Sequence, residues 1–509
     1  MPATSLVITT KGSEALAEAL KALKINSTLA TLNLNAIGEK GAQALGEALK
    51  TNSTLATLNL QSNSIGEKGA QALGETLNTN STLTILAMRN NSIGDNGAQA
   101  LGEALRINTA LAFLALQSNS IGDKGAQAIG GALNTNQTLA TLALGHNLIG
   151  DNGAQALGEA LKINTTLAAL VLQSNSIRDN GAQALSEALN TNSALANLAL
   201  DSNSIGDNGV QMLAEALQTN SALATLDLHN NSIGDQGAQS LREALETNST
   251  LATLYLFRNS IRDHGAHALA EAVKTNTTLT TLTLNGNKIW IKGLLAFSDA
   301  FMVSSTLTTL ALEENKTTGK IDPVLFKSLK TKSTLTILNL GQKSIEEDEV
   351  QALGAALRTD SSLTTLYLQN NSIGPNEGQV LAETLKTNST LATVDLQNNL
   401  IGDGGAQKGA QALAEALKIN TTLTTLYLQS NSIGDNGAQA LSHALNNSIG
   451  DNGAQALSQG LQMNSTLAIL DLWSNSITDN GAMALYEMSH VSLVGKQVRI
   501  KRSNMHYEL

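Results

Sequence analysis

The chain has 509 residues, is 42% apolar but only 2% aromatic, and carries 31 Lys and Arg against 42 Asp and Glu, for a formal charge of -11. It has no cysteine, which excludes disulfides, thiolate nucleophiles and cysteine-bound metals. The acidic balance disfavours nucleic-acid backbones, no long apolar run is present for a membrane span, and MPATSLVITTKGSEAL at the start lacks the basic and apolar regions of a secretory signal, so a cytoplasmic location is expected.

Residues 1–25 come first. Gly12, Leu16 and Leu20 stand at fourfold spacing without a full strand module, and read as an N-terminal helical cap. Repeats begin at Asn26, whose unit is two residues short because Leu34-Asn35-Ala36-Ile37 replaces a longer passage. From Asn52 the unit NSTLATLNLQSNSIGEKGAQALGETLNT returns every 28 residues, at Asn80, Asn108, Asn136, Asn164, Asn192, Asn220, Asn248 and Asn276. It continues through Ser304, Lys332, Asp360 and Asn388, and reappears at Asn420 and Asn464, giving sixteen strand-bearing units over residues 26–486.

Within a unit, Leu58-Asn59-Leu60 alternates as a very short strand, and Gly69, Leu73 and Leu77 form one apolar stripe of a helix. Neither element can bury its apolar side alone, so both must stack on neighbouring units. Strands about 4.8 Å apart and helices about 8–10 Å apart put the sheet on the inner side of a curve. The expected fold class is therefore α/β, a solenoid with parallel strands on the concave face and helices on the convex face.

Several columns of the repeat have structural roles. Asn63 and its equivalents, from Asn91 to Asn287, follow the strand and need partners beside buried leucines, so they read as an internal amide ladder. Asp95, Asp123 and Asp151 stand just before helices and read as N-caps. Lys50, Lys162 and Lys386 lie near helix C-termini, where the dipole favours positive charge. The Asn-Ser-Thr and Asn-Thr-Thr triplets read as helix-exit turns.

Regularity fails in three places. Residues 289–359 diverge: Trp290, Phe297, Phe301 and Met302 enlarge a layer, Pro323 fits near a helix start, Lys343 replaces the ladder asparagine and Glu349 replaces the usual glycine. The doubled GAQ of GAQKGAQA adds four residues to the unit from Asn388. Near residues 441–463 a strand is missing, since Leu445 runs almost directly into Asn447-Ser448-Ile449, and a weak point is expected there. Residues 487–509, including the basic Lys496 to Arg502, form a C-terminal cap or tail.

On LxxLxLxxNxI followed by GxxALxxAL, over about residues 12–486, the chain resembles the ribonuclease-inhibitor-like leucine-rich-repeat family and the repeat region of NOD-like receptors. The resemblance implies a horseshoe that binds proteins such as ribonucleases, small GTPases or the ligands of intracellular immune receptors.

No P-loop, dinucleotide fingerprint or HExxH helix is present. His264 and His267 are three apart but lack a third ligand, and the many carboxylates repeat with the unit. No enzyme activity, catalytic residue, cofactor or metal site is expected.

Functional variation should lie on the strand positions between and after the buried leucines. One candidate protein-binding patch combines Asp201, Asp227, His229, Tyr255, Phe257 and Arg258; a second combines Tyr367, Asp395, Tyr427, Asp471 and Trp473. The expected function is a non-enzymatic scaffold binding a protein partner, one with a basic surface given the net charge. The alternatives are a small-GTPase regulator resembling Ran GTPase-activating proteins, and self-association through residues 289–359.

Overall fold

A computed structural model describes residues 5–8, 28–315, 326, 334–343, 345, 347–401, 412–413, 416–417, 419–431, 469–472, 497–501 and 506–508. The chain forms two compact units, residues 1–259 and 260–509.

In the first unit every strand is parallel to its neighbours. β1 (Ser5–Ile8) lies beside β2 (Thr31–Leu34), followed in chain order by β3 (Thr57–Asn59), β4 (Ile85–Ala87), β5 (Phe113–Ala115), β6 (Thr141–Ala143), β7 (Ala169–Val171), β8 (Asn197–Ala199), β9 (Thr225–Asp227) and β10 (Thr253–Tyr255). Between them run helices such as Gly38–Leu49, Gly94–Leu105, Asp123–Leu133, Asp151–Leu161 and Asp207–Leu217. The register follows the repeat, with Leu58 opposite Leu86 and Leu198 opposite Leu226. β1 adds a strand inside the segment read from sequence as a helical cap; Gly12, Leu16 and Leu20 themselves lie outside the described residues.

Each repeat is one layer of a continuous core. Leu55, Leu58, Leu60 and Ile65 are fully buried, and Leu73 and Leu77 are 2% exposed. The strand supplies alternate leucines and the helix a fourfold stripe, so the two periodicities meet in one interior. Small residues let the helices approach: a Cβ on Gly102 would come within 2.8 Å of the Ala128 carbonyl oxygen.

Two asparagine ladders tie the layers together. Asn119 Oδ1 accepts from the Asn91 N–H at 2.9 Å, and its Nδ2 donates to the Met88 carbonyl at 2.9 Å and the Gln117 carbonyl at 3.1 Å. This is the ladder expected from the sequence. The asparagines that open each repeat form a second one. Asn136 Oδ1 accepts from Leu139 N–H at 2.9 Å, while Nδ2 donates to the carbonyls of Leu105 at 2.8 Å and Asn108 at 3.1 Å. It thereby binds the C-terminal end of the helix one repeat earlier, Gly94–Leu105, which otherwise leaves carbonyls unsatisfied. The exit-turn asparagines are thus buried structural groups.

The expected N-caps need correction. None of the helices beginning at Asp123, Asp151 or Asp179 has a side-chain cap from its own N-cap residue. Asp95 Oδ1 instead accepts from Gly122 N–H at 2.7 Å and Gly125 N–H at 2.8 Å, in the following repeat. Stacking puts each carboxylate against the start of the next helix rather than its own. Lys50, Lys162 and Lys386 do occupy helix C-caps, where they pair with Glu47, Glu159 and Glu383.

In the second unit β11 (Thr281–Thr283), β12 (Thr309–Ala311), β13 (Ile337–Asn339), β14 (Thr365–Tyr367), β15 (Thr393–Asp395), β16 (Thr425–Tyr427), β17 (Ile469–Leu472) and β18 (Gln497–Lys501) are parallel in that order, and β19 (His506–Glu508) is antiparallel to β18. β16 pairs directly with β17, Leu426 opposite Leu470, so the sheet is continuous across the shortened unit. The weak point expected at 441–463 and the doubled GAQ lie outside the described residues. Among the described residues no helix is long and apolar enough to cross a membrane.

Candidate functional site

The strand pattern leaves the positions flanking each buried leucine on the sheet face opposite the helices. In the first unit the position after the buried leucine is small in five successive strands, at Ala87, Ala115, Ala143, Val171 and Ala199, while the position before it carries Ile85 and Phe113 on β4 and β5; β9 and β10 then bring Asp227 and Tyr255 into register with each other. One residue pair further on stand His229 and Phe257.

Their rings stack at a centroid separation of 3.9 Å and an angle of 11°. His229 lies between two carboxylates, with Nδ1 2.7 Å from Asp227 Oδ1 and Nε2 3.3 Å from Asp201 Oδ2. The His229 backbone N–H also donates to Asp227 Oδ1 at 3.1 Å, and Ser202 Oγ donates to Asp201 Oδ2 at 3.4 Å. The structure therefore brings Asp201, Asp227, His229 and Phe257 into one cluster, with Tyr255 on the strand beside Asp227. Arg258 is exposed at φ 54, on the turn where most other repeats place Ser or Asn and a few place His146, Gly286, Glu314 or Gln342.

Asp201 was expected on the solvent side and is 7% exposed. The His229 ring covers it. Burial, then the nearby Asp227 carboxylate, raises the Asp201 pKa above its ordinary value against the opposing pull of His229. Among the described residues Asp201, Asp227 and His229 are the one group whose ligand atoms gather closely enough for a metal ion. Along the chain only the three-residue spacing of His264 and His267 stands out, whereas the approach of Asp201, Asp227 and His229 spans two strands and leaves no such spacing.

The second unit carries the other cluster. Tyr367 is in register with Asp395, and Asp395 with Tyr427. Asp395 is also 7% exposed rather than solvent-facing, since Gln397 folds back on it: the Gln397 N–H donates to Oδ1 at 2.9 Å and Nε2 to Oδ2 at 3.3 Å. Burial, reinforced by Glu313, pushes the Asp395 pKa up to about 6. Burial also raises Tyr367, with Asp395, Tyr427 and Glu313 adding to it. Asp471 lies in β17 in register with Arg499, and Trp473 lies outside the described residues.

Glu313, not singled out from the sequence, organises this face. It accepts from Asn339 Nδ2 at 2.8 Å, Gln369 Nε2 at 2.9 Å and Asn285 Nδ2 at 3.3 Å. Gln369 reaches it across the intervening strand because Gly341 has no side chain; a Cβ there would stand 2.7 Å from the Gln369 amide. Lys343, the ladder replacement, is fully buried, and its Nζ has no hydrogen-bond partner among the described residues. Burial lowers its pKa to about 7, with Glu313 opposing. A long charged side chain where Asn119 carries an amide was legible in the sequence as a departure, but its burial was not.

The Leucine Rich repeat family model matches residues 51–74, 79–102, 108–130, 135–158, 164–186, 192–214, 219–241, 275–298, 387–408, 420–442 and 464–485, together half of the chain. The chain belongs to the leucine-rich-repeat family. The longest unmatched interval between these segments, 299–386, overlaps the divergent stretch that contains Glu313 and Lys343. No curated protein matches the chain. Among solved structures, it is similar to leiomodin-1 actin-binding site 2, at 23% identity over 26% of this chain and 76% of that one, with a TM-score of 0.22.

Proposed function

We propose that this leucine-rich-repeat protein is a non-enzymatic scaffold of the ribonuclease-inhibitor type that holds a protein partner on the sheet face of its first unit. The observation that carries the reading is the His229–Phe257 stack beside Tyr255, Asp227 and Asp201, which gathers two stacked rings and two carboxylates on neighbouring repeats. Aromatic groups with charges at their rim are the composition of an interface anchor, and truncating such anchors costs far more than truncating their surroundings. Carboxylates at the edge of the rings suit a partner that presents Lys or Arg, which can stack on the rings and pair with the acids.

The test is affinity capture with mass spectrometry, comparing the wild type with Tyr255→Ala/Phe257→Ala. Proteins retained by the wild type should be lost from the folded double variant, with affinity for a purified partner reduced about thirtyfold or more. Unchanged capture by a variant with native circular dichroism and thermal melting would reject this face as the partner surface.

A further inference from the structure

The two nitrogens of His229 stand in different situations. At 2.7 Å from Asp227 Oδ1, Nδ1 must carry a proton, since two bare acceptors do not approach so closely. In the neutral ring Nε2 is then a lone pair, and it faces Asp201 Oδ2 at 3.3 Å. Asp201 is 7% exposed and the hydrogen bond to its Oδ2 from Ser202 Oγ is long at 3.4 Å, so little relieves two acceptors turned towards each other. The arrangement calls for a cation between them.

The spacing says which kind. Nitrogen and oxygen ligands about 2.1 Å from one tetrahedral ion stand roughly 3.4 Å apart. The remaining geometry is that of a prepared ligand: Asp227 holds the ring in the tautomer that leaves Nε2 available, and the Phe257 ring, stacked at 3.9 Å, restricts its rotation. His229 and Asp227 remain partly exposed, at 22% and 20% of their side chains, so an ion and its waters have access. An imidazole nitrogen in the set selects transition ions over calcium or magnesium.

We propose that His229 Nε2 and Asp201 Oδ2 bind a divalent transition-metal ion of the zinc class, oriented by Asp227 and Phe257, with the other coordination positions open to water or to a donor from a bound protein. The site does not rest on the partner reading and is tested without a partner. Competing with the metal is an imidazolium paired to both carboxylates, which accounts for the same contacts with a proton.

The experiment titrates the purified full chain with Co2+, followed by visible absorption, and with Zn2+, followed by calorimetry. The wild type should bind one equivalent more than His229→Ala, and Zn2+ should displace the Co2+ signal. Asp201→Asn should lose at least tenfold in affinity, and Asp227→Asn roughly tenfold through the freed ring. Equal stoichiometry and affinity in wild type and His229→Ala overturns the site and leaves the imidazolium pair. If His229→Ala melts early, Asp201→Asn, which keeps the shape and removes the ligand charge, decides in the same way: wild-type affinity there overturns it.

Discussion

Asp123 Oδ1 accepts hydrogen bonds from Gly150 N–H at 2.7 Å and Gly153 N–H at 2.9 Å, so the aspartate at the start of one helix caps the helix of the following repeat. The same bridge joins Asp151 to Arg178 and Asp179 to Gly206 in the first unit, and Asp263 to Trp290 in the second. Where the preceding residue is glutamate, one methylene longer, the bridge is replaced. Gly66 and Gly94, which follow Glu39 and Glu67, donate instead to the Asn91 and Asn119 carbonyls at φ 66 and 63. Gly374, which follows Glu347, takes its cap from Glu377 of its own helix at 2.8 Å.

Removing one such carboxylate should therefore damage the next repeat. Asp123→Ala is expected to cost about 1–2 kcal/mol, the usual worth of a helix cap. Hydrogen exchange should rise at residues 150–153 and leave 122–125 near wild type. The opposite pattern would show that Asp123 serves its own helix.

The same contrast separates two glycines. Gly94 sits at φ 63, and an added Cβ would stand 2.9 Å from a Glu67 carboxylate oxygen; Gly122 has φ -101 and its Cβ would stand 3.4 Å from Asp95. Arg178, Arg262 and Trp290 hold the Gly122 position in other repeats, in the same extended conformation. Gly94→Ala is expected to cost about 1 kcal/mol or more, and Gly122→Ala to stay within about 0.5 kcal/mol of wild type. Similar melting shifts for both would reject this account.

These cases mark what could be read from the chain alone. The repeat length, the leucine register and the Asn119 ladder follow from periodicity, because a polar amide recurring beside buried leucines has one economical use. The destination of the Asp123 carboxylate does not, since a residue before its own helix and one beneath the next helix occupy the same place in the sequence. Asp201 and Asp395 occupy exposed-type strand positions yet are buried, with His229 and Gln397 turned onto them, a choice of rotamer that alternation does not encode. Glu313 stood in the same column as His229 and Phe257, yet its role as an acceptor for three amides depends on Gly341 leaving room for Gln369.

Lys343 gives a test in the irregular unit. Its folded pKa of about 7 lies below the ordinary value of 10.5. Between these values the unfolded chain binds more protons, so this group makes stability rise with pH from about 7 to 10.5; below 7 the burial penalty is present in full. Lys343→Met should be more stable than wild type at pH 6.5 by roughly 2–4 kcal/mol, with the difference shrinking steadily by pH 9.5. Urea denaturation of both proteins across this range measures it. A pH-independent difference would mean that packing, not charge burial, distinguishes the two.

Asp395 works with the opposite sign. Its folded pKa of about 6 lies above the ordinary 3.8, because burial outweighs the Gln397 N–H that favours the carboxylate, with Glu313 adding a smaller upward push. The folded chain therefore binds more protons between these values. The contribution of this group to stability is largest below about pH 4, declines as pH rises, and is a constant penalty above about 6. Asp395→Asn keeps an acceptor for the Gln397 N–H and removes the charge, and the Gln397 amide can turn to present its oxygen to the new NH2. The variant is expected to be more stable than wild type at pH 7.5 by about 2 kcal/mol and equal to it near pH 3.5. Glu313→Gln, which removes only the lesser of the two raising causes, should give a smaller gain, offset by altered bonds to Asn339 and Gln369 and by the loss of its attraction for Lys343. Denaturant midpoints for the three proteins at pH 3.5, 5.5 and 7.5 separate the contributions. If Asp395→Asn gains nothing at pH 7.5, the carboxylate is better solvated than its 7% exposure implies, and the second cluster presents an ordinary surface acid to its surroundings.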